Sequence, residues 1–150
     1  MVELVDAQVV RPLRRAVLRP EQPPEMSRYP GDDDLRSAHA AVVVGGSEVA
    51  AVGTVLAEAP PWAPHRADAW RVRGMATRPD VRGRGWGQLV LDALVDHVVA
   101  HEGGLVWCNA RVPATNLYER AGFVARGEVF DIPGIGPHLQ MWRALEAESA

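Results

Sequence analysis

The stretch Val81-Arg82-Gly83-Arg84-Gly85-Trp86-Gly87-Gln88 constrains this chain more than any other. Three glycines alternate with larger residues, and the apolar run Leu89-Val90-Leu91 follows at once. Residues 69–75 ahead of it read as a strand, and residues 85–101 as the strongest helix pattern in the chain. Glycines between a strand and a helix let the backbone pass close to a ligand, often a phosphate. A P-loop would need a lysine after the glycines. The chain has none, so all 16 of its basic residues are arginines. A dinucleotide fingerprint needs a third glycine three positions after the second. Counting from Gly83 and Gly85, that place is Gln88, and a hairpin already precedes the motif. The competing reading is a glycine-rich helix entry that binds nothing. Against it stand the entropic cost of each glycine and the two arginines among them. Consecutive amides, a positive helix end and flanking arginines describe an anion site.

The rest of the chain alternates strand and helix patterns. Val2–Val5 reads as a strand. Residues 7–19 read as a helix, capped by Asp6 and stopped by Pro20, with Val9, Val10, Leu13, Ala16 and Val17 on one face. Arg11, Arg14, Arg15 and Arg19 make its other face basic, the usual sign of a solvated surface. Residues 21–37 form a loop, and Asp32-Asp33-Asp34 within it reads as a solvated turn. Ala38–Val44 and Glu48–Ala57, joined by Gly45-Gly46-Ser47, predict a β-hairpin. The proline-rich residues 58–68 are a loop, with Trp62 packing. In residues 69–75, Gly74 marks a bulge or a close backbone approach, and residues 77–80 make a turn. In the helix that follows, Trp86, Leu89, Val90, Ala93, Leu94 and Val98 recur at helical spacing, opposite a row of Gln88, Asp92 and Asp96. Residues 105–108 read as a buried strand and residues 113–121 as a helix carrying Ala114, Leu117, Tyr118 and Ala121 on one face. Residues 123–130 and 139–142 read as closing strands. Residues 146–150 read as a frayed tail.

Composition narrows the class. The 150 residues fit one domain with a sizeable core. A net charge of −3 and the absence of an aromatic–basic ribbon argue against nucleic acid as partner. The single Cys108 excludes an internal disulfide. With no basic-then-apolar leader and no apolar run long enough for a bilayer, a cytoplasmic location off the membrane is expected. No metal is expected, because no spaced oxygen-ligand loop follows the aspartates.

Three segments together resemble a known family. Arg82-Gly83-Arg84-Gly85-Trp86-Gly87 matches the [Arg/Gln]-x-x-Gly-x-[Gly/Ala] acetyl-CoA motif of the GCN5-related N-acetyltransferases (GNATs). Ala114-Thr115-Asn116-Leu117-Tyr118-Glu119-Arg120-Ala121-Gly122-Phe123 resembles that family's A-x-x-L-Y-E-[K/R]-x-G-F segment. Met75-Ala76-Thr77-Arg78-Pro79-Asp80-Val81 looks like its fourth strand and following turn. The similarity spans about residues 38–142. It implies an α/β (α+β) GNAT fold: a central mixed, mostly antiparallel sheet of six to seven strands, flanked by helices and splayed between strands 4 and 5.

The resemblance also implies an activity, acetyl transfer from acetyl-CoA to a primary amine by direct attack in a ternary complex. Backbone amides of Arg82, Gly83, Arg84, Gly85, Trp86, Gly87 and Gln88 would hold the CoA pyrophosphate. The pantetheine arm would pair like an added strand with the backbone around Met75, Ala76 and Thr77. Tyr118 stands where the family tyrosine protonates the leaving thiolate; packing in the core is its other role. Many members carry an asparagine three residues before Ala114, where this chain has Arg111. Asn109 or Asn116 could substitute, and Arg111 could contact a CoA phosphate. The fourth strand holds no carboxylate, so the amine proton would leave through water to Glu58, Glu128, Asp131 or His138, with His138 leading. Cys108 reads as an inert thiol. A small-molecule or peptide amine is the expected partner, bounded by residues 21–37, 58–68 and 131–138, and a homodimer is common in the family. Asp32, Asp33 and Asp34 hint at a cationic acceptor. The alternative is a non-catalytic acyl-CoA-binding or regulatory domain of the same fold.

Overall fold

A computed structural model describes residues 2–145, and the tail at 146–150 lies outside them. Chain order runs β1 (Val2–Val5), α1 (Ala7–Leu18), β2 (Ala38–Val44), β3 (Glu48–Ala57), β4 (Ala69–Thr77), α2 (Trp86–Ala100), β5 (Leu105–Arg111), α3 (Thr115–Arg120), β6 (Val124–Ile132) and β7 (Gly136–Ala144). Short 3₁₀ turns occupy Pro24–Ser27, Pro79–Val81 and Val112–Ala114. The strands form one seven-stranded sheet in the order β1-β2-β3-β4-β5-β7-β6. All neighbours are antiparallel except β4 and β5, which run parallel. No helix among the described residues is long and apolar enough to cross a membrane.

Strand alternation assigns the two helices to opposite faces. Ala40, Val42, Val55 and Val72 pack with Val90, Leu94 and Val98 of α2. Ala41, Val52 and Ala76 pack with Val10 of α1. Each fully buried aliphatic side chain contributes roughly 1.5–3 kcal/mol, so both layers hold firmly to the sheet. On α2 the buried positions are Val90, Leu91, Leu94, Val95 and Val98, while Leu89 faces outward. The outer row is present, with Gln88 Nε2 donating to Asp92 Oδ1 at 3.0 Å.

Several boundaries differ from the sequence expectation. β5 runs on to Arg111 because β7 pairs with it along its whole length, as far as Arg111 opposite His138. The expected helix at 113–121 divides into a 3₁₀ turn and the shorter α3. β6 and β7 are longer than expected and meet at Ile132 opposite Gly136, so much of the anticipated linker is strand. Asp6 stands at the N-cap of α1 but makes no side-chain cap.

Candidate active site

The sheet opens where β4 leaves β5. Only Ala69–Leu105, Trp70–Val106 and Arg71–Trp107 pair across it. Beyond Arg71, the β5-facing edge of β4 has no strand partner, so its backbone donors and acceptors through Thr77 stay available. A cavity of about 1220 Å³ fills the opening. That exceeds the roughly 300–1,000 Å³ of a single small-ligand pocket, which leaves room for two reactants. Its lining runs from the start of α2 to Val17, Leu18 and Arg19 at the end of α1. Because α1 and α2 lie on opposite faces, the cavity passes through the gap in the sheet.

The residues expected to hold the cosubstrate line this cavity, as do Tyr118 and His138, while Glu58, Glu128 and Asp131 do not. Met75, Ala76 and Thr77 form the β4 wall, and residues 82–88 form the entrance. Asn109 and Arg111 lie on β5, Asn116 and Tyr118 on α3, and His138 on β7. At the entrance, Gly83 and Gly85 adopt positive φ angles of 84° and 80°. Any other residue would be strained there. A Cβ on either would meet nothing within 4 Å, so the space beside them is open. Gly85 is the N-cap of α2, and no side chain caps it. The first-turn amides therefore point at an open site with a positive helix end behind them. Gly87 has helical φ, and a Cβ there would lie 3.5 Å from Thr77 Oγ1.

At the inner end Tyr118 is buried, its ring edge-on to Phe123 at 5.5 Å. The Cys108 thiol is its neighbour at this end of the cavity. Burial, reinforced by the Cys108 sulfur, holds the phenol pKa well above its usual value, so it stays protonated. Burial also pushes the Cys108 thiol up to about 12, which removes it as a nucleophile near neutral pH. Buried Asn109 Oδ1 and Gln88 Oε1 have no hydrogen-bond partner. Such orphaned acceptors beside a cavity suit a ligand with N–H or O–H donors. His138 Nδ1 lies 2.8 Å from the Gly136 carbonyl. That acceptor places the ring hydrogen on Nδ1 and leaves Nε2 free to take a proton. Arg111 donates to the Leu18 carbonyl at 3.1 Å, which ties β5 to the end of α1. Glu58 is committed to Arg71 at 3.0 Å, and Glu128 and Asp131 are exposed on β6 outside the cavity.

The two solvated readings fail at one residue each, Arg14 on α1 and Asp32 in the loop, while Asp33 and Asp34 are exposed as expected. Arg14 is 1% exposed and Asp32 is 4% exposed. Arg14 donates to the Ser27 carbonyl at 2.6 Å, Asp32 Oδ2 at 2.8 Å, Asp32 Oδ1 at 3.2 Å and Thr54 Oγ1 at 2.7 Å. His39 completes the network, 2.7 Å from Thr54 Oγ1 and 2.9 Å from the Asp32 carbonyl. Asp33 pairs with Arg11 and Asp34 with Arg36. All three aspartates are thus satisfied internally and none lines the cavity, so the hint of a cationic acceptor is withdrawn. Residues 58–68 also lie outside the cavity, because Trp62 packs edge-on to Trp107 at 5.9 Å.

The sequence reading missed Tyr29, whose ring is held between Arg14 at 3.8 Å and Arg73 at 4.1 Å. Gly74 makes room for this stack: its φ is +65°, and a Cβ would come within 2.8 Å of Arg14 Nε. The register skips between Val52 and Thr54, so Gly74 and Met75 form the bulge opposite Gly53. The in-strand glycine was the one available signal for this close approach.

The chain matches the family model described as "Acetyltransferase (GNAT) family" over residues 8–123. It is 32% identical over 145 residues to the uncharacterized N-acetyltransferase YitI of Bacillus subtilis (strain 168), covering 96% of this chain and 95% of that one. Its fold is similar to an aminoglycoside 6'-N-acetyltransferase solved with coenzyme A, with TM-score 0.74, 12% identity and coverage of 100% and 99%. It is similar also to a GCN5-related N-acetyltransferase from Kribbella flavida, with TM-score 0.73, 18% identity and 97% of both chains covered. The parallel β4/β5 pair, the glycine entrance and these matches lead to one conclusion: the chain belongs to the acetyltransferase (GNAT) family and is an acetyl-CoA-dependent acetyltransferase.

Proposed function

We propose that the chain passes the acetyl group directly to a primary amine within a ternary complex, with Tyr118 as the acid. The observation that carries this is the single cavity joining the glycine entrance to Tyr118 through the gap in the sheet. The residues present fit the cosubstrate: the space beside Gly83 and Gly85 is open, and Asn109 Oδ1 and Gln88 Oε1 lack partners. Acetyl-CoA supplies the activated acyl group as a thioester. The amides of residues 82–88 bind its pyrophosphate, with Arg82 and Arg84 adding positive charge. The unpaired edge of β4 at Met75, Ala76 and Thr77 aligns the pantetheine arm as an added strand. Asn109 and Asn116 orient it from the facing wall.

Tyr118 delivers the proton that the departing thiolate needs, and its buried phenol keeps that proton throughout the neutral range. His138 Nε2 takes the proton released by the attacking amine, directly or through water. The test is CoA release followed with saturating acetyl-CoA and a panel of primary amines. Turnover that depends on the amine supports direct transfer. Bound acetyl-CoA with no turnover for any amine would overturn this reading in favour of a binding or regulatory domain.

A further inference from the structure

The half of the cavity on the α1 side is cationic. Arg19, Arg71, Arg73 and Arg111 line it, and the carboxylate in the lining, Asp92, lies beyond the glycine entrance on α2. Among the described residues, Arg11, Arg14, Arg36, Arg66 and Arg78 each have a carboxylate within ion-pair distance. Arg71 has Glu58. Arg73 lines the cavity half-buried, lies against the Tyr29 ring at 4.1 Å, and has no ion pair or hydrogen bond among the described residues. Burial, with the neighbouring charge of Arg71, pushes its pKa down. Arg111 spends one donor on the Leu18 carbonyl and has no carboxylate within ion-pair distance among the described residues. Two guanidinium groups partly withdrawn from water without counter-ions gain strongly from an anionic ligand.

The expected pyrophosphate cradle at residues 82–88 leads into α2, whereas Arg111 reaches the end of α1 on the opposite face of the sheet. We infer that the acceptor is an amine carrying an acid group, a carboxylate or phosphate a few atoms from its nitrogen, held by Arg73 and Arg111. Tyr29 fixes Arg73 in place. Asp32 in turn holds Tyr29, accepting from its backbone amide at 3.0 Å. The arginine field also favours the neutral amine over the ammonium, and only the neutral form attacks. That lessens the need for the carboxylate base missing from β4. This inference rests on the acetyl-transfer reading.

The experiment follows CoA release with 4-aminobutanoate, 3-aminopropylphosphonate and 4-aminobutanamide, in parallel with acetyl-CoA binding by calorimetry. The acidic probes are expected to exceed the amide in kcat/KM by about tenfold or more, the worth of a charge-assisted hydrogen bond. Whichever acid leads identifies the carboxylate or the phosphate source. Arg73→Gln and Arg111→Gln should each erode that preference through acceptor KM. Arg73→Gln should leave the acetyl-CoA Kd unchanged, and Arg73→Lys should retain part of the preference. An amide as good as either acid overturns the inference, as does a preference that survives both substitutions. So does a weakened acetyl-CoA Kd in Arg73→Gln, which would give that arginine to the cosubstrate. Bound acetyl-CoA with no acidic probe acetylated removes this inference alone. Failure to bind acetyl-CoA removes the acetyl-transfer reading, and this inference falls with it.

Discussion

Tyr118→Phe separates chemistry from packing more cleanly than any other change in this site. The substitution deletes one hydroxyl and keeps the ring, so the edge-on contact with Phe123 at 5.5 Å remains. The hydroxyl's neighbour is the Cys108 thiol, a weak hydrogen-bonding group, so removing the hydroxyl costs about 1 kcal/mol or less. In a chain of this size that lowers Tm by roughly 2–4 °C at most. The chemical effect is far larger. A positioned acid contributes about 10²–10⁴-fold, which adds roughly 2.7–5.4 kcal/mol to the barrier when it is removed. The proposed acid would act on charge that develops only as the thiolate departs, so kcat should fall while acetyl-CoA KM stays within about twofold. A thiol-reactive chromophore can follow the released CoA. Cys108 will not consume the reagent, since it is buried and its thiol is pushed up to about 12. In the wild type, burial keeps the phenol protonated, so kcat should show no falling limb below about pH 10. A variant with kcat within about threefold of wild type and an intact Tm would reduce Tyr118 to packing and refute the acid role.

Other outcomes follow from the same geometry. Gly85→Val should raise acetyl-CoA KM and cost about 1–2 kcal/mol of strain at its left-handed φ. Gly46→Val, at φ +86° in the β2–β3 hairpin, carries similar strain without touching the cavity, so an equal KM in both variants would sink the entrance assignment. Asp32→Asn leaves the buried Arg14 guanidinium without its counter-charge, and urea denaturation should show a loss of about 3–5 kcal/mol; a loss below about 1 kcal/mol would contradict the network described. Stability should also fall with acidity in two stages. Burial pushes the His39 pKa down, so its contribution is complete above the unfolded value of about 6.5 and fades as pH drops toward the folded value. Burial alone would raise the Asp32 pKa, but the Arg14 hydrogen bonds, the Tyr29 amide and the nearby charges of Arg14 and His39 outweigh it and the net shift is downward. Its contribution is complete above about pH 3.9 and is lost as pH falls through the folded value. Chemical denaturation from pH 7 to 5 should show the first stage, and His39→Gln should abolish it; an unchanged slope in that variant would rule out His39.

What the amino-acid sequence by itself determined is what local chain chemistry controls. The paired glycines between two β-branched runs made the β2–β3 hairpin legible. The glycines at 83, 85 and 87 ahead of an apolar helical period made the entrance and α2 legible, because turn geometry and helix entry depend on neighbours in the chain. Tyr118 was legible through its surrounding segment. The tertiary structure decided the electrostatic character of the site. Arg14 and Asp32 looked solvated because nothing within a turn of either reveals a partner, yet they meet across 18 residues and reach Thr54 across 40. Arg73 looked like one more strand arginine until Tyr29 and the bulge at Gly74 defined its surroundings. Whether a charge is paired, buried or left open to a ligand depends on which distant side chains arrive beside it. Only the folded sheet, with its gap between β4 and β5, brings them there.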